Sequence, residues 1–219
     1  MPLAVPPHLA FCIDASGVTF LDIRRDRYFG LPSDLAEAFT ALEARGFAGY
    51  EPSAAIERLL SLGLIAPSTA LTPRVSAPRA NASWADLAAG RSTRWEVMAA
   101  ARTARSVLQA RHTLQHRSFE MMVEGLRRRR PQRGDRAPGD MRPLVEAFQR
   151  ARRWTPIKPV CLLDSLALLD FLDGFGHRPQ LVFGVIRRPF TAHCWVQHGD
   201  IILNDRLDHV VEHTPILVV

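Results

Sequence analysis

Three residues in the C-terminal part of this chain have the types and the order of a nucleophilic catalytic group. Cys161 opens an apolar run after a proline-rich approach, His193 lies in Ala-His-Cys-Trp-Val, and Asp205 closes Ile-Leu-Asn-Asp. A thiol reacts as the thiolate, and the unpaired N–H groups at a helix start lower its pKa. An imidazole can take and return the proton, and a carboxylate can fix its tautomer. These residues are therefore candidates for nucleophile, base and orienting acid.

Cys161 alone is weak evidence, because an isolated cysteine beside leucines is usually a structural core residue. A predicted hairpin strengthens the case. If a three-residue loop at 198–200 joins two strands, antiparallel pairing puts His193 opposite Asp205, with Cβ atoms about 5 Å apart. At that distance the carboxylate can hold the Nδ1–H of the imidazole. A register shifted by one residue would put Cys194 there instead, whereas alternation along the strand sends Cys194 into the core.

Other clusters of polar side chains suggest weaker sites. Asp208, His209 and His213 follow the candidate acid and could bind a metal ion, but their spacing outside a clear helix is poor evidence. His112 and His116 are four residues apart on a predicted helix without a third ligand, which favours surface histidines. We therefore predict no metal site and no cofactor.

The elements that could bring a substrate to these residues lie at the other end of the chain. Residues 1–70 have the pattern of three strands, two helices and a wing, which predicts a small winged-helix-like module. Its expected parts are strands within residues 8–31, a helix whose N-cap is Ser33 or Asp34, a second helix from about Ser53 to Gly63, and a wing at Leu64 and Ile65.

The middle of the chain changes character twice. Residues 71–82 are rich in proline, serine and alanine, which predicts a linker. A helical stretch from about Ser83 to Arg128 follows, with expected buried residues that include Leu108, Leu114, Met121 and Met122. The arginine-rich segment 127–139 is too polar and broken to pack, so we predict a loop.

The C-terminal pattern predicts one buried helix against an antiparallel sheet. The run that Cys161 opens is apolar almost all round, which is typical of a core helix rather than a surface helix. Strands are expected at 181–186, 190–197 and 201–204, with a possible fourth at 216–219. Residues 83–219 would thus form an α+β domain.

Composition limits the classes of protein that the chain can belong to. The 219 residues carry a net charge of +6, and residues 74–154 hold 18 arginines against seven acidic residues. Without base-reading motifs, such a basic segment is more often a solvated surface than a nucleic-acid site. Three cysteines in no paired spacing predict neither disulfides nor structural zinc. The sequence shows no transmembrane run and no convincing signal peptide, so the expected location is the cytoplasm.

The candidate residues together resemble a known family. The segment from Pro159 to Asp205, with Cys-Leu-Leu-Asp-Ser-Leu-Ala-Leu, Phe-Gly-Val-Ile, Ala-His-Cys-Trp-Val and Ile-Leu-Asn-Asp, resembles the transglutaminase-like leader peptidase of lasso-peptide biosynthesis, the B protein. The N-terminal module resembles the peptide recognition element that is often fused to it. The resemblance implies that Cys161 is the nucleophile, His193 the base and Asp205 the orienting acid.

The resemblance also implies the substrate and the partners. The leader of a lasso-peptide precursor would add a strand beside one edge of the module, and the released core peptide would pass to an asparagine-synthetase-like, ATP-dependent cyclase. The expected leader-binding residues are Arg27, Tyr28, Phe29, Gly30 and Leu31 on the strand, with Ile56, Leu59 and Leu60 on the facing helix. These residues could also simply complete a small core.

The expected fold is therefore α+β: a winged-helix-like recognition module, a helical middle segment, and a transglutaminase- or papain-like cysteine protease domain with an antiparallel sheet. The expected function is cysteine leader peptidase, without nucleic-acid or membrane partners. Two alternatives remain open. The chain could be a non-catalytic peptide-binding scaffold that assists the cyclase, or a nucleic-acid-binding regulator.

Overall fold

The computed structural model of the chain describes residues 2–68, 77–85, 96–129 and 140–219, without the side chains of residues 96 and 97. In chain order the elements are β1 Leu3–Ala4, β2 Leu9–Asp14, β3 Gly17–Asp22, β4 Arg27–Gly30, α1 Ser33–Ala44, α2 Ala54–Ser61, β5 Ala66–Pro67, β6 Ala82–Ser83, α3 Glu96–His116, α4 Phe119–Arg128, α5 Arg142–Arg152, α6 Cys161–Asp173, β7 Gln180–Ile186, β8 Thr191–His198, β9 Ile201–Ile202, α7 Leu207–Val211 and β10 Thr214–Val218.

The N-terminal part has the predicted order of three strands and two helices. Strands β2, β3 and β4 form an antiparallel sheet in that order, with β4 at one edge. The hydroxyl of Ser53 accepts the N–H of Ile56 at 3.3 Å and so caps α2, whereas α1 starts after Pro32 without a side-chain cap. The predicted wing lies slightly later, where β5 pairs with β1. The likeness to a winged helix stays a prediction.

The sheet of β2, β3 and β4 is covered on both of its faces. On one face Phe11, Phe20 and Phe29 pack with residues of α1 and α2 into a compact core of the module. On the other face Cys12 and Leu21 belong to the core that is built mainly from the C-terminal half of the chain. The module is therefore packed against the rest of the protein through this second face of its sheet.

The C-terminal part is a core helix on a mostly antiparallel sheet, as predicted. The strand order is β10-β7-β8-β9-β6, and α6 packs across β7 and β8 with α3 and α5 beside it. The exception is β6, which pairs in parallel with β9. Ala82 and Ser83 therefore form an edge strand, where the sequence predicted the end of a linker and the start of a helix. This segment hydrogen-bonds the backbone groups at the outer edge of β9.

Helix α3 buries a different face from the one that the sequence predicted. On α3, Leu108 is 58% exposed and Leu114 is also exposed. The predicted helical stretch continues as a separate helix, α4, on which Met121 is 56% exposed and Met122 is buried as expected. The buried face of α3 consists of small residues, among them Ala99, Thr103, Ser106, Val107 and Ala110. Small side chains allow α3 to lie close to α6, which the larger leucines would prevent.

Parts of the predicted segments lie outside the described residues, namely 69–70 of the module, 71–76 of the linker, 86–95 of the helical stretch and 130–139 of the arginine-rich loop. The last residues of the predicted linker are anchored on the sheet, since Asn81 donates its N–H to the carbonyl of Asp200 at 2.9 Å. Of the helices in the described ranges, none combines the length and the apolar character that a membrane crossing needs.

Candidate active site

Cys161 is the first residue of α6, at the end of an approach that one buried arginine holds in place. Arg152 donates to the carboxylate of Asp164 at 2.7 Å and to the carbonyls of Ile157 and Thr155 at 2.9 and 3.3 Å. The N–H of Asp164 closes the first helical turn on the carbonyl of Val160 at 2.9 Å. Arg152 is only 8% exposed, so these bonds are shielded from water. The thiol is therefore presented from a fixed helix start.

The hairpin that carries the other two residues has a different register from the predicted one. His198 pairs with Ile201 and Gln197 with Ile202, so the turn has two residues and not three. Gly199 has a φ of +60°, a conformation that glycine adopts without strain and that tight hairpin turns require. Continued pairing in this register would place Cys194 opposite Asp205, which is the alternative that the sequence left open.

His193 and Asp205 nevertheless meet, because the strand pairing stops before it reaches them. Leu203 still donates to the carbonyl of Val196 at 2.9 Å, but its own carbonyl accepts from the amide of Gln149 at 2.8 Å. The N–H of Val196 instead donates to the side chain of Asn204 at 2.7 Å. Asn204 thus replaces the next backbone acceptor, and the chain leaves the sheet at the point where Asp205 turns toward the imidazole.

The carboxylate of Asp205 is hydrogen-bonded to Nε2 of His193, and not to Nδ1 as the sequence analysis expected. Its second oxygen accepts the N–H of Arg206 at 2.7 Å, and Nδ1 of His209 lies 3.1 Å from the oxygen that faces His193. The carbonyl of Asp205 accepts from the hydroxyl of Ser83 at 2.6 Å. With Nε2 engaged by Asp205, Nδ1 of His193 is the nitrogen left for Cys161.

The electrostatics of the three groups favour an ion pair of thiolate and imidazolium. Hydrogen bonds from the Cys194 thiol and from His193 lower the pKa of Cys161 to about 4, although burial opposes the change. Burial would lower the pKa of His193, but its hydrogen bonds with Asp205 and Cys161 outweigh burial and raise the pKa to about 9. Between these values the sulfur is charged and the ring is protonated. This is the activated form of a cysteine nucleophile.

Alkylation by iodoacetamide should reveal this ion pair. The thiolate is the reactive form, so the alkylation rate of Cys161 should be half-maximal near pH 4, whereas an ordinary thiol is half-maximal near about 8.5. Cys12 is the internal control, because burial raises its pKa to about 12 and should leave it unlabelled at pH 5. Peptide mapping after labelling at pH 5 measures both. Labelling of Cys161 that sets in only above pH 8 would contradict the ion pair.

Two further residues, Cys194 and Ser165, complete the surroundings of the Cys161 thiol. Neither was assigned a role there from the sequence. Cys194 is 3% exposed, lies in the core as predicted, and still hydrogen-bonds Cys161 through its thiol and its backbone N–H. Ser165, one turn along α6, accepts the amide of Asn204 at 2.9 Å, and its hydroxyl lies 4.0 Å from the Cys194 sulfur. The sequence contained a signal for the contact with Ser165, because Asn204 directly precedes the candidate acid Asp205 in the motif Ile-Leu-Asn-Asp.

One group of side chains in the described ranges has the composition of a metal site. His193, Asp205 and His209 bring potential ligand atoms within 4.8 Å of one another, although the sequence analysis predicted no metal site. The group includes two of the three candidate catalytic residues, so a metal ion there would compete with the hydrogen bond between His193 and Asp205. His112 and His116 stack on each other at 4.2 Å and do not belong to this group.

The eight residues that were expected to bind a leader lie in four different surroundings. Phe29, Gly30 and Leu31 line a groove of about 890 Å³ between β4 and α2. Arg27 is exposed, whereas Tyr28 faces the C-terminal core. The three helix residues do not line the groove: Ile56 and Leu59 are buried in the module and Leu60 packs against that core. Other residues of α2 and its end form the second wall, among them Ala54, Ala55, Arg58 and Leu62.

Comparison with known proteins gives one match. A family model described as transglutaminase-like superfamily matches residues 106–218, which is just over half of the chain and includes Cys161, His193 and Asp205. The N-terminal module lies outside the matched residues. No curated protein and no solved structure matches the chain.

Proposed function

Because the chain belongs to the transglutaminase-like superfamily, we propose that it is a cysteine peptidase that cuts a lasso-peptide precursor between its leader and its core. The observation that carries this proposal is the thiol of Cys161, whose pKa is lowered to about 4 beside a protonated His193. A peptide-binding scaffold has no use for an activated thiol. The orientation of the imidazole by Asp205 supports the same conclusion, since a base needs a fixed tautomer.

The proposed reaction has two steps. The thiolate of Cys161 attacks the carbonyl carbon of the scissile bond, and the N–H at Nδ1 of His193 protonates the leaving nitrogen as the C–N bond breaks. Water then attacks the resulting thioester while His193 takes its proton, and the thiol is released. The backbone N–H of Cys161, at the start of α6, is one donor to the oxyanion that forms in each step. The products are a leader with a free carboxyl end and a core peptide with a free amine.

The groove of the N-terminal module is the proposed leader site. Strand β4 lies at the edge of its sheet, so its outer backbone groups can pair with an added strand. Next to that edge Phe29 and Leu31 line the wall of the groove on the β4 side, and Leu62, 48% exposed, lines the opposite side. Of the predicted strand residues this assignment keeps Phe29, Gly30 and Leu31 in the groove. It replaces Ile56, Leu59 and Leu60 by other residues of α2 and its end.

The core peptide that the proposed cleavage releases is the substrate of a further enzyme. A core peptide with a free amine is the substrate that an asparagine-synthetase-like cyclase needs, so this cyclase is the proposed partner. The steps require no cofactor beyond water. The cytoplasm, where a ribosomally made precursor first appears, is the proposed location.

The test compares a full precursor with a shortened precursor that keeps the leader–core bond and only the few leader residues next to it, and mass spectrometry follows cleavage. The wild-type protein should cut only the full precursor, and Leu62→Glu should raise KM about tenfold or more with little change in kcat, because it removes binding and leaves the chemistry. Leu108→Glu is the matched control, an exposed leucine of α3 away from the groove. Equal cleavage of the two peptides would overturn leader recognition. Leader binding without any cleavage would favour the scaffold.

A further inference from the structure

The strand that is proposed to hold the leader also reaches the catalytic residues with its other face. Along β4, Phe29 stacks on Phe20 at 5.5 Å in the core of the module. Tyr28 pairs with Leu21 and points to the opposite side, where it packs against the core cluster that holds Cys194 and borders Cys161. A residue of the recognition module is thus placed beside the candidate active site.

An arginine in the turn that leads into β8 fixes the position of β4. Arg187 lies in the turn between β7 and β8, and its guanidinium donates to the carbonyls of Ser16 and Leu31 in the module. It packs directly on the backbone of Gly30, where an added Cβ would come within 3.1 Å of the guanidinium. The same turn leads into β8, which carries His193. Through β4, Arg187 therefore fixes the position of Tyr28 relative to the strand that carries the catalytic base.

Tyr28 has the properties of a hydrogen-bond donor to a substrate. Its ring lies 5.5 Å from that of Phe190, at the start of β8. Among the residues that the structure describes, its hydroxyl has no hydrogen-bond partner. Burial, and then the negative charges of Asp26 and of the Cys161 thiolate, raise the pKa of the hydroxyl, so it keeps its proton at neutral pH. The hydroxyl is therefore close enough to feel the charge on Cys161 and free to bond another group.

Acyl transfer at Cys161 is faster when a second donor stabilises the oxyanion beside the backbone N–H of the nucleophile. The N–H of Cys161 provides one hydrogen bond to the oxyanion, but the N–H of Cys194 already bonds the sulfur itself. We propose that the Tyr28 hydroxyl is the second donor, which binds the carbonyl oxygen of the scissile peptide bond while the thiolate attacks its carbon. The peptide substrate would then lie between β4 and the start of α6. This inference deepens the proposed function and rests on it only for the identity of the peptide.

Two small reagents separate this role from a structural one. Acetylation of Cys161 by 4-nitrophenyl acetate passes through an oxyanion, whereas alkylation by iodoacetamide is a direct displacement that forms none. In the full-length protein, Tyr28→Phe should lower the acetylation rate constant about tenfold or more and leave alkylation unchanged, because only the oxyanion loses a donor. Tyr50→Phe, at the only other tyrosine, is the matched control and should change neither rate.

The rates of acetylation and alkylation in Tyr28→Phe together decide whether the Tyr28 hydroxyl is the second donor. Unchanged acetylation in Tyr28→Phe, or an equal fall in both rates, would overturn the oxyanion role, because the second result indicates a disturbed thiolate. With the precursor, the same variant should reduce kcat by about 100-fold without a comparable rise in KM. If the wild-type protein does not cut any precursor, the proposed function fails while the comparison of the two reagents still decides the role of Tyr28.

Discussion

Replacing Cys161 by alanine is expected to reduce precursor cleavage by about 10⁴-fold or more, to the background of the assay. The sulfur is the atom that forms the covalent bond to the substrate, and the remaining groups have no other nucleophile to activate. Cleavage measured by mass spectrometry at matched protein concentrations checks the loss. Binding of a synthetic leader should stay the same, because Cys161 does not line the groove of the module.

Cys12 provides the control for this prediction. Cys12 is buried in the sheet of the module, and burial raises its pKa to about 12, so Cys12→Ala should still cleave the precursor. The opposite pattern, with cleavage lost in Cys12→Ala and kept in Cys161→Ala, would remove the assignment of the nucleophile. His193→Ala should also lose cleavage, and it should raise the pKa of Cys161, because one of the hydrogen bonds that lower this pKa disappears.

Gly184→Ala is expected to have the largest effect on stability among the glycine substitutions in the strands. Gly184 pairs with His193, and a Cβ there would lie 2.8 Å from two ring atoms of Trp195 and 2.9 Å from the Cβ of His213. Trp195 is 1% exposed and its indole N–H donates to Gln197 at 2.9 Å, so the ring has no room to retreat. Such overpacking typically costs about 1–3 kcal/mol in free energy of unfolding.

Thermal unfolding and activity measure the two consequences of Gly184→Ala. The midpoint should fall by about 2–4 °C for each kcal/mol lost. Because β8 must shift to relieve the contact, His193 should move relative to Cys161 and cleavage should fall by up to about 100-fold. Gly125→Ala in α4 is the matched control: a Cβ there meets nothing within 4 Å, and alanine should stabilise the helix by about 0.5–1 kcal/mol. Equal melting of the two variants would contradict this account.

The sequence predicted the elements of the fold better than the faces that they bury. Runs of apolar residues with clear turns located the strands of both sheets, and the apolar run from Cys161 identified the core helix. The buried face of α3 was missed, because Val107 and Ala110 are buried by their contact with α6 while the larger Leu108 is exposed. A single sequence shows how apolar a residue is, but not how closely two helices approach.

The candidate site shows a similar division between residue types and geometry. Residue type and order made Cys161, His193 and Asp205 the candidates, yet their predicted contact relied on a three-residue turn that the protein does not have. The pair of His193 and Asp205 forms because Asn204 ends the strand, which requires a partner on α6, Ser165, that lies far away in sequence. Register depends on one residue of turn length, and long-range hydrogen bonds cannot be read from local pattern.

Both faces of the β2-β3-β4 sheet are covered, and this limits how a substrate bound beside β4 can reach Cys161. The sheet cannot swing away from the catalytic domain without exposing the buried face that holds Leu21 and Cys12. The groove beside β4 and the thiol of Cys161 are therefore separated by a constant length. A peptide anchored in the groove would present to the thiol the bond that lies at that length along its chain. On the proposed function, the position of the cleavage site is thus set by the number of residues between it and the segment anchored in the groove.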